Sequence, residues 1–132
     1  MGEPINEQFA RYIRKYKIAT LEQALEQLPA DIARVSYCMV DAKSAHDQAE
    51  ALYDRDYAKE STSQHARAKI EKFTAAEAKQ WADYETIEKL LPVLKLNADY
   101  EKWKVLVTFL DNKFTSVRKL ASLREVELKN IH

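Results

Sequence analysis

The sequence predicts an all-α fold in which long helices pack along much of their length. The chain has a single glycine, Gly2, although hairpin turns and phosphate-binding loops depend on glycine. Charged residues make up 32% of the chain and balance to no net charge, a composition typical of long helices. Apolar residues recur at alternating spacings of three and four, as in helical seams. We therefore expect one helical domain, residues 1–132, in an elongated long-helix hairpin or three-helix arrangement that self-associates through helical seams.

Residues 1–19 form a basic and aromatic N-terminal segment. From Arg11 to Lys17 the sequence reads RYIRKYK, in which four cations alternate with tyrosines. This pattern is compatible with a short amphipathic helix whose tyrosines pack inward. It is equally compatible with an arm that becomes ordered when it binds a partner.

Residues 20–73 are expected to form a short helix followed by a long helix that changes from acidic to basic. Thr20 and Gln23 are spaced as a capping box for the short helix, and Pro29 is expected to end it near Leu28. The long helix then runs from Ala30 to about residue 60. The polar cluster at residues 61–63 is either a hinge or a solvated turn of helix. The inward stripe of the long helix is Ile32, Val35, Met39, Ala42, His46, Ala49 and Tyr53.

Residues 74–130 are expected to form two C-terminal helices. Thr74 and Glu77 make a second capping box, and Pro92 kinks or ends the first of the two helices. That helix is expected to turn Ala78, Trp81, Tyr84, Ile87, Leu91 and Leu94 inward. Asn97 is the expected N-cap of the last helix. Its apolar seam is the predicted oligomerisation surface and consists of Trp103, Val107, Leu110, Phe114, Val117 and Ala121.

The residue patterns favour a protein that is not an enzyme and has no cofactor or metal. No Ser or Cys has a convincing His and carboxylate pattern, and no two histidines are spaced as metal ligands. Cys38 is the only cysteine, as expected for a reducing cytoplasm, and His46 is expected to be a structural histidine on a helical seam. We find neither a secretory signal nor an apolar run long enough for a membrane span, and we expect a cytoplasmic protein.

Single-stranded nucleic-acid binding is the sharper functional hypothesis, because such proteins combine cations for phosphates with aromatic rings for bases. Residues 61–132 carry thirteen Lys and Arg against ten Asp and Glu, so a basic surface is compatible with the neutral total. Cations are expected to contact phosphates, and Tyr12 and Tyr16 to stack on bases. The predicted contact residues are Arg11, Tyr12, Arg14, Lys15, Tyr16, Lys17, Arg55, Arg67, Lys69 and Lys72.

Over residues 30–128 the layout of the chain resembles the UvsY family of recombination mediators from T4-type bacteriophages. A long charged helix leads into an acidic and tyrosine-containing element, YDRDY at residues 53–57, and a polar hinge is followed by KIEK at residues 69–72. The helix AEAKQWAD at residues 76–83 and the closing element YEKWKVLVTFLD at residues 100–111 complete the similarity. The family's Lys-x-Arg pair before the acidic element is missing, because EALY occupies residues 50–53 and leaves only Arg55.

The resemblance implies a phage-encoded accessory protein of homologous recombination in the host cytoplasm. It implies a ring-like homo-oligomer that binds single-stranded DNA, a RecA-like recombinase and a single-strand-binding protein. Such a mediator promotes loading of the recombinase onto strands coated by the single-strand-binding protein. The alternative is a module that binds only proteins, such as a phage assembly chaperone or an inhibitor of a host defence complex. DNA affinity separates the two classes.

Overall fold

The protein is all-helical, as the sequence predicts. A computed structural model describes residues 4–131, and this part of the chain forms three helices without a strand: α1 (Ile5–Ile18), α2 (Leu21–Glu71) and α3 (Ala75–Ile131). Helix α1 settles the choice left open for the N-terminal segment, because residues 11–17 lie within it. None of the helices in the described part is long and apolar enough to span a bilayer.

The predicted capping box at Thr20 is complete and the one at Thr74 forms one of its two bonds, and they mark where α2 and α3 begin. The Gln23 N–H donates to Thr20 Oγ1 at 3.2 Å, and the Thr20 N–H donates to Gln23 Oε1 at 3.1 Å. At the start of α3, the Glu77 N–H donates to Thr74 Oγ1 at 3.1 Å. These bonds satisfy backbone donors that the first helical turn leaves without a partner.

The turn between α2 and α3 is closed by a residue in the left-handed region. Lys72 has φ of 59°, and the Phe73 N–H donates to the Ala68 carbonyl at 3.2 Å. This six-to-one bond is characteristic of the Schellman motif, which usually places glycine at the left-handed position. Because the chain places lysine there, the conformation is achieved at some cost in backbone energy.

The predicted helix breaks at Pro29 and at the Leu96–Asn97 junction are wrong, because both α2 and α3 are continuous through their prolines. Leu28, next to Pro29, is fully buried in the core, and Asp31 is 2% exposed; these buried neighbours hold the helix in place despite the lost hydrogen bond. Asn97 lies inside α3 instead of capping it. The polar cluster at residues 61–63 is helical as well, and Thr62 Oγ1 donates to the Ala58 carbonyl at 2.9 Å.

Contacts divide the chain into two compact units. The first unit comprises the described part of Met1–Asp41 and Asp99–His132, and the second comprises Ala42–Ala98. In the first unit α1, the start of α2 and the last part of α3 share one hydrophobic core. Its buried residues are Tyr12, Tyr16, Ala24, Leu28, Val35, Leu106, Leu110 and Val117.

The predicted oligomerisation seam packs inside the chain instead of between copies. Leu110 is fully buried and Val117 is 5% exposed, both within the core of the first unit. Trp103, Val107 and Phe114 are partly buried and pack against the same core, and Ala121 is half-buried. The seam was correctly recognised as apolar, but α1 and α2 already cover it. Its assignment as a self-association surface is therefore corrected.

The second unit consists of two helical segments joined by the turn at residues 72–74. Small side chains dominate the surface that they bury against each other: Ala78 and Ala82 are fully buried, and Ala68 is 8% exposed. The Tyr57 hydroxyl donates to Asp83 Oδ1 at 2.8 Å and links the two segments. We call this contact surface the alanine seam.

The large apolar residues that were expected to face inward on this part of α3 are exposed, and that prediction is wrong. The exposed fractions are 70% for Tyr84, 50% for Ile87, 58% for Leu91 and 53% for Leu94. Close packing of the alanine seam leaves these residues outside the buried face of the helix. We call Ile87, Leu91 and Leu94 the apolar stripe.

Candidate nucleic-acid interface

The two N-terminal tyrosines that were expected to stack on bases are buried. Tyr12 is 2% exposed and Tyr16 is 1% exposed, and both belong to the core of the first unit. A ring that is almost fully buried has no accessible face on which a nucleobase could stack. The predicted stacking role of Tyr12 and Tyr16 is therefore wrong. Of the two structures considered for this segment, the amphipathic helix with inward-packed tyrosines is the one observed.

A buried polar network fixes these tyrosines. The Tyr16 hydroxyl donates to Asp31, whose carboxylate also accepts from Lys15 Nζ at 2.6 Å and lies 3.4 Å from an Arg34 nitrogen. Arg34 in turn donates to the Tyr12 hydroxyl at 3.1 Å. Burial raises the pKa of the Tyr16 hydroxyl well above its ordinary value, and the hydrogen bond to Asp31 raises that pKa further.

The remaining N-terminal cations are exposed but lack an exposed tyrosine beside them. Arg11, Arg14 and Lys17 lie on the surface of α1, and the Arg11 guanidinium lies 5.4 Å from the Tyr12 ring centroid. Lys15 differs, because its ammonium is bound to the buried Asp31 carboxylate. This face offers positive charge without a stacking partner.

Arg55 is exposed within the acidic element of α2, where its Nε lies 3.9 Å from Asp56 Oδ1. The electrostatic attraction of this single cation for phosphate is offset by its acidic neighbours. The structure does not bring Arg55 together with another predicted contact residue.

Three of the predicted cations lie close in sequence to the turn of the second unit. Lys69 and Lys72 are exposed, and within residues 4–131 neither forms a hydrogen bond or ion pair with another side chain. Arg67 is different, because its Nε donates to Glu71 Oε2 at 2.8 Å. Lys79, in the second turn of α3, is exposed and adds a cation that the sequence analysis did not select.

An exposed aromatic pair on α3 lies beside one of these cations, because the central carbon of Arg67 is 5.0 Å from the Trp81 ring centroid. Trp81 is 39% exposed, Tyr84 is 70% exposed, and their rings meet edge to face at 87° with centroids 5.9 Å apart. A shallow cavity of about 400 Å³ is lined by these two rings together with Glu77 and Gln80. This volume falls within the range of small-molecule sites, about 300–1,000 Å³, and is large enough for a planar base.

We call this region the turn surface, defined as Arg67, Lys69, Lys72, Phe73, Lys79, Trp81 and Tyr84. Its first three members were predicted from the sequence, whereas Trp81 and Tyr84 were expected to face inward. The missed signal was the spacing of Ala78, Ala82 and Thr86, all buried, which places the buried face of α3 at every fourth residue and Trp81 outside it.

The described residues contain no group of three or more His, Cys, Asp and Glu side chains that could hold a metal ion. His46 is half-buried, as expected for a structural histidine, with ring nitrogens 3.1 Å from Asp47 Oδ1 and 3.2 Å from Glu50 Oε2. The hydrogen bond from His46 is the main cause of a lowered pKa at Asp47.

No protein-family model, curated protein or solved structure matches this chain. The case for function therefore depends on the geometry of the turn surface and on the chemistry of its side chains.

Proposed function

We propose that the chain binds single-stranded DNA through the turn surface and acts as a recombination mediator. The observation that carries the proposal is the exposed Trp81 and Tyr84 pair on α3, with Arg67 against Trp81 and three exposed lysines near the same turn in sequence. Aromatic rings with open faces accept bases of any sequence, and lysines attract the phosphates between them. A duplex, whose bases are already stacked on each other, gains nothing from the rings.

The layout shared with the UvsY family supports the rest of the proposal. In that reading, the phage-encoded chain acts in the host cytoplasm without catalysing a reaction. It binds DNA coated by a single-strand-binding protein, contacts a RecA-like recombinase and promotes loading of the recombinase. The elements KIEK and AEAKQWAD, which carry the resemblance, include much of the turn surface.

We assign the ring-like self-association of the proposal to the apolar stripe, because the seam from Trp103 to Ala121 is covered by the chain's own helices. Ile87, Leu91 and Leu94 follow one another at four and three residues, which is the spacing of a helix that packs against another helix. Replacing Leu91 by Glu would place a charge in that contact. The native mass, measured by light scattering, is expected to fall to that of a monomer.

Binding of labelled oligo-dT, measured by fluorescence anisotropy over a salt series, tests the proposal. Trp81→Ala is expected to weaken single-strand binding by about 1–3 kcal/mol, roughly 5- to 150-fold, while the weaker duplex binding changes little. Lys69→Gln with Lys72→Gln is expected to lower the salt dependence by about 0.7 per lost phosphate contact. The matched control is Arg14→Gln with Lys17→Gln, which removes the same charge from the first unit.

The second candidate function is a module that binds only proteins, and the exposed apolar stripe is the observation that favours it. Such a module would show no affinity for oligo-dT even at low salt. If the N-terminal control variant weakened binding as much as the variants at the turn, DNA binding would lie on α1 and the turn surface would be excluded.

A further inference from the structure

We infer that Arg67 is a positioning residue that holds Trp81 ready for a base, while the neighbouring lysines contact the phosphates. This inference depends on the proposed function, since it assigns separate tasks to residues of the turn surface. It also changes the role first predicted for Arg67, which was a phosphate contact.

The guanidinium of Arg67 is bound by two side-chain oxygens and lies near two aromatic rings. Its Nε donates to Glu71 Oε2 at 2.8 Å, and another nitrogen donates to Gln64 Oε1 at 3.4 Å. Its central carbon lies 5.0 Å from the Trp81 ring centroid and 5.6 Å from the Phe73 ring centroid. Both distances are within the range of cation–π contacts, about 6 Å.

These contacts leave Arg67 little capacity for a phosphate. A bidentate arginine–phosphate contact uses two parallel N–H groups, and the Nε–H edge is already directed at Glu71. The Glu71 carboxylate beside it would also repel a phosphate. Lys69, Lys72 and Lys79 carry no such partner among residues 4–131 and lie in solvent. The geometry therefore divides the cations into one that organises the aromatic rings and three that are available to the strand.

Holding the indole in place before DNA arrives lowers the entropy lost on binding. An exposed tryptophan that becomes immobile only in the complex weakens affinity by about two- to tenfold. Arg67 lies against the ring and removes part of this loss in advance. Because arginine stacks through a flat delocalised group, lysine is a poor substitute at this position.

The first test uses the free protein and needs no DNA. In a Trp103→Phe background, Trp81 is the only tryptophan, so its fluorescence reports on the turn surface alone. Arg67→Gln is expected to increase quenching of Trp81 by acrylamide and to lower its fluorescence anisotropy. Arg67→Lys should give an intermediate result, and Lys72→Gln is the matched control that should change neither quantity. Circular dichroism checks that each variant keeps its helix content.

The second test compares affinity with salt dependence for oligo-dT. Arg67→Gln is expected to weaken binding by about two- to tenfold without changing the slope of affinity against salt. Lys72→Gln is expected to reduce that slope by about 0.7, as the loss of one phosphate contact requires. Only a positioning residue changes affinity and the order of Trp81 while leaving the slope unchanged.

The inference would be overturned if Arg67→Gln lowered the slope by a full contact and left Trp81 quenching as it was. It would also be overturned if Trp81 in the free protein were equally ordered in both variants and in the parent. Failure of the parent protein to bind oligo-dT at low salt would reject the proposed function instead. The quenching experiment would then still decide whether Arg67 orders Trp81.

Discussion

Replacing Tyr16 by Phe removes one hydroxyl from the core of the first unit and changes its shape very little. The Tyr16 side chain is 1% exposed, and its hydroxyl donates to the Asp31 carboxylate. A hydrogen bond to a charged group contributes about 1.5–3 kcal/mol. Asp31 keeps Lys15 at 2.6 Å and Arg34 at 3.4 Å, so the carboxylate is not left without partners. We therefore expect Tyr16→Phe to lower the free energy of unfolding at pH 7 by about 1.5 kcal/mol, the lower end of this range.

The same contact predicts how that loss depends on pH. Burial, and then the hydrogen bond to Asp31, raise the pKa of folded Tyr16 above its ordinary value of 10.0. As the pH rises above 10, Tyr16 ionises in the unfolded chain but keeps its proton in the folded one, so the unfolded state gains stability. This group then lowers the free energy of unfolding by up to about 1.4 kcal/mol per pH unit. Tyr16→Phe lacks this contribution, and the difference between variant and parent should shrink above pH 10.

Urea unfolding at pH 7 and at about pH 10.5 measures both quantities. In a Trp81→Phe background, Trp103 packs against the core of the first unit and reports on its unfolding. Tyr37→Phe is the matched control, because the Tyr37 side chain is 70% exposed. A Tyr16→Phe variant within about 0.5 kcal/mol of the parent at pH 7 would refute the stabilising contact. An unchanged difference at the higher pH would refute the raised pKa.

Three further predictions concern the helices, each measured by urea unfolding followed by circular dichroism. Leu110→Ala should cost about 2–5 kcal/mol, because Leu110 is fully buried, whereas Leu120→Ala at a side chain 57% exposed should cost less than about 1 kcal/mol. Lys72→Gly should stabilise by about 1 kcal/mol, because φ at Lys72 is 59°. By contrast, Lys69→Gly inside α2 should destabilise by a similar amount, about 1 kcal/mol. Ala82→Leu should destabilise the second unit by about 1–3 kcal/mol, because it overpacks the alanine seam.

Each of these predictions has an outcome that contradicts it. Equal losses of stability in Leu110→Ala and Leu120→Ala would mean that the seam from Trp103 to Ala121 does not pack in the core of the first unit. A loss of stability in Lys72→Gly would argue against the left-handed turn. A neutral Ala82→Leu would place the contact between the segments of the second unit elsewhere.

Local features of the fold could be predicted from the sequence. The capping boxes at Thr20 and Thr74 depend only on residues three apart, so they specify where α2 and α3 begin without reference to the rest of the chain. The single glycine and the heptad spacing likewise sufficed for the all-α class. Such signals act over one or two helical turns.

Features that depend on distant contacts could not be predicted in this way. Whether Pro29 and Pro92 end a helix depends on the packing around them, and the helix ends predicted from local propensity are absent at both. The seam from Trp103 to Ala121 was correctly seen as apolar, but its spacing does not specify whether α1 or another copy covers it. Likewise, the tyrosines of α1 were expected to stack on bases, but Asp31 and Arg34 of α2 bind the Tyr16 and Tyr12 hydroxyls inside the chain.

The candidate site was predicted only in part, because the exposure of its aromatic rings also depends on packing between distant residues. The lysines at 69 and 72 were selected because charge is visible in a sequence. Trp81 was assigned to the core because it repeats at helical spacing with aliphatic neighbours. In the second unit small residues fill the core, and the large ones are left exposed.

The alanine seam has a consequence for the dynamics of the chain. Ala68, Ala78 and Ala82 bury few carbon atoms, so the segments they join are held less strongly than those packed around Leu106 and Leu110. Backbone amides of residues 42–98 should therefore exchange with deuterium through local openings that leave the first unit intact. A strand bound only by the closed form would oppose these openings, and slower exchange around the turn would then map its position on the chain.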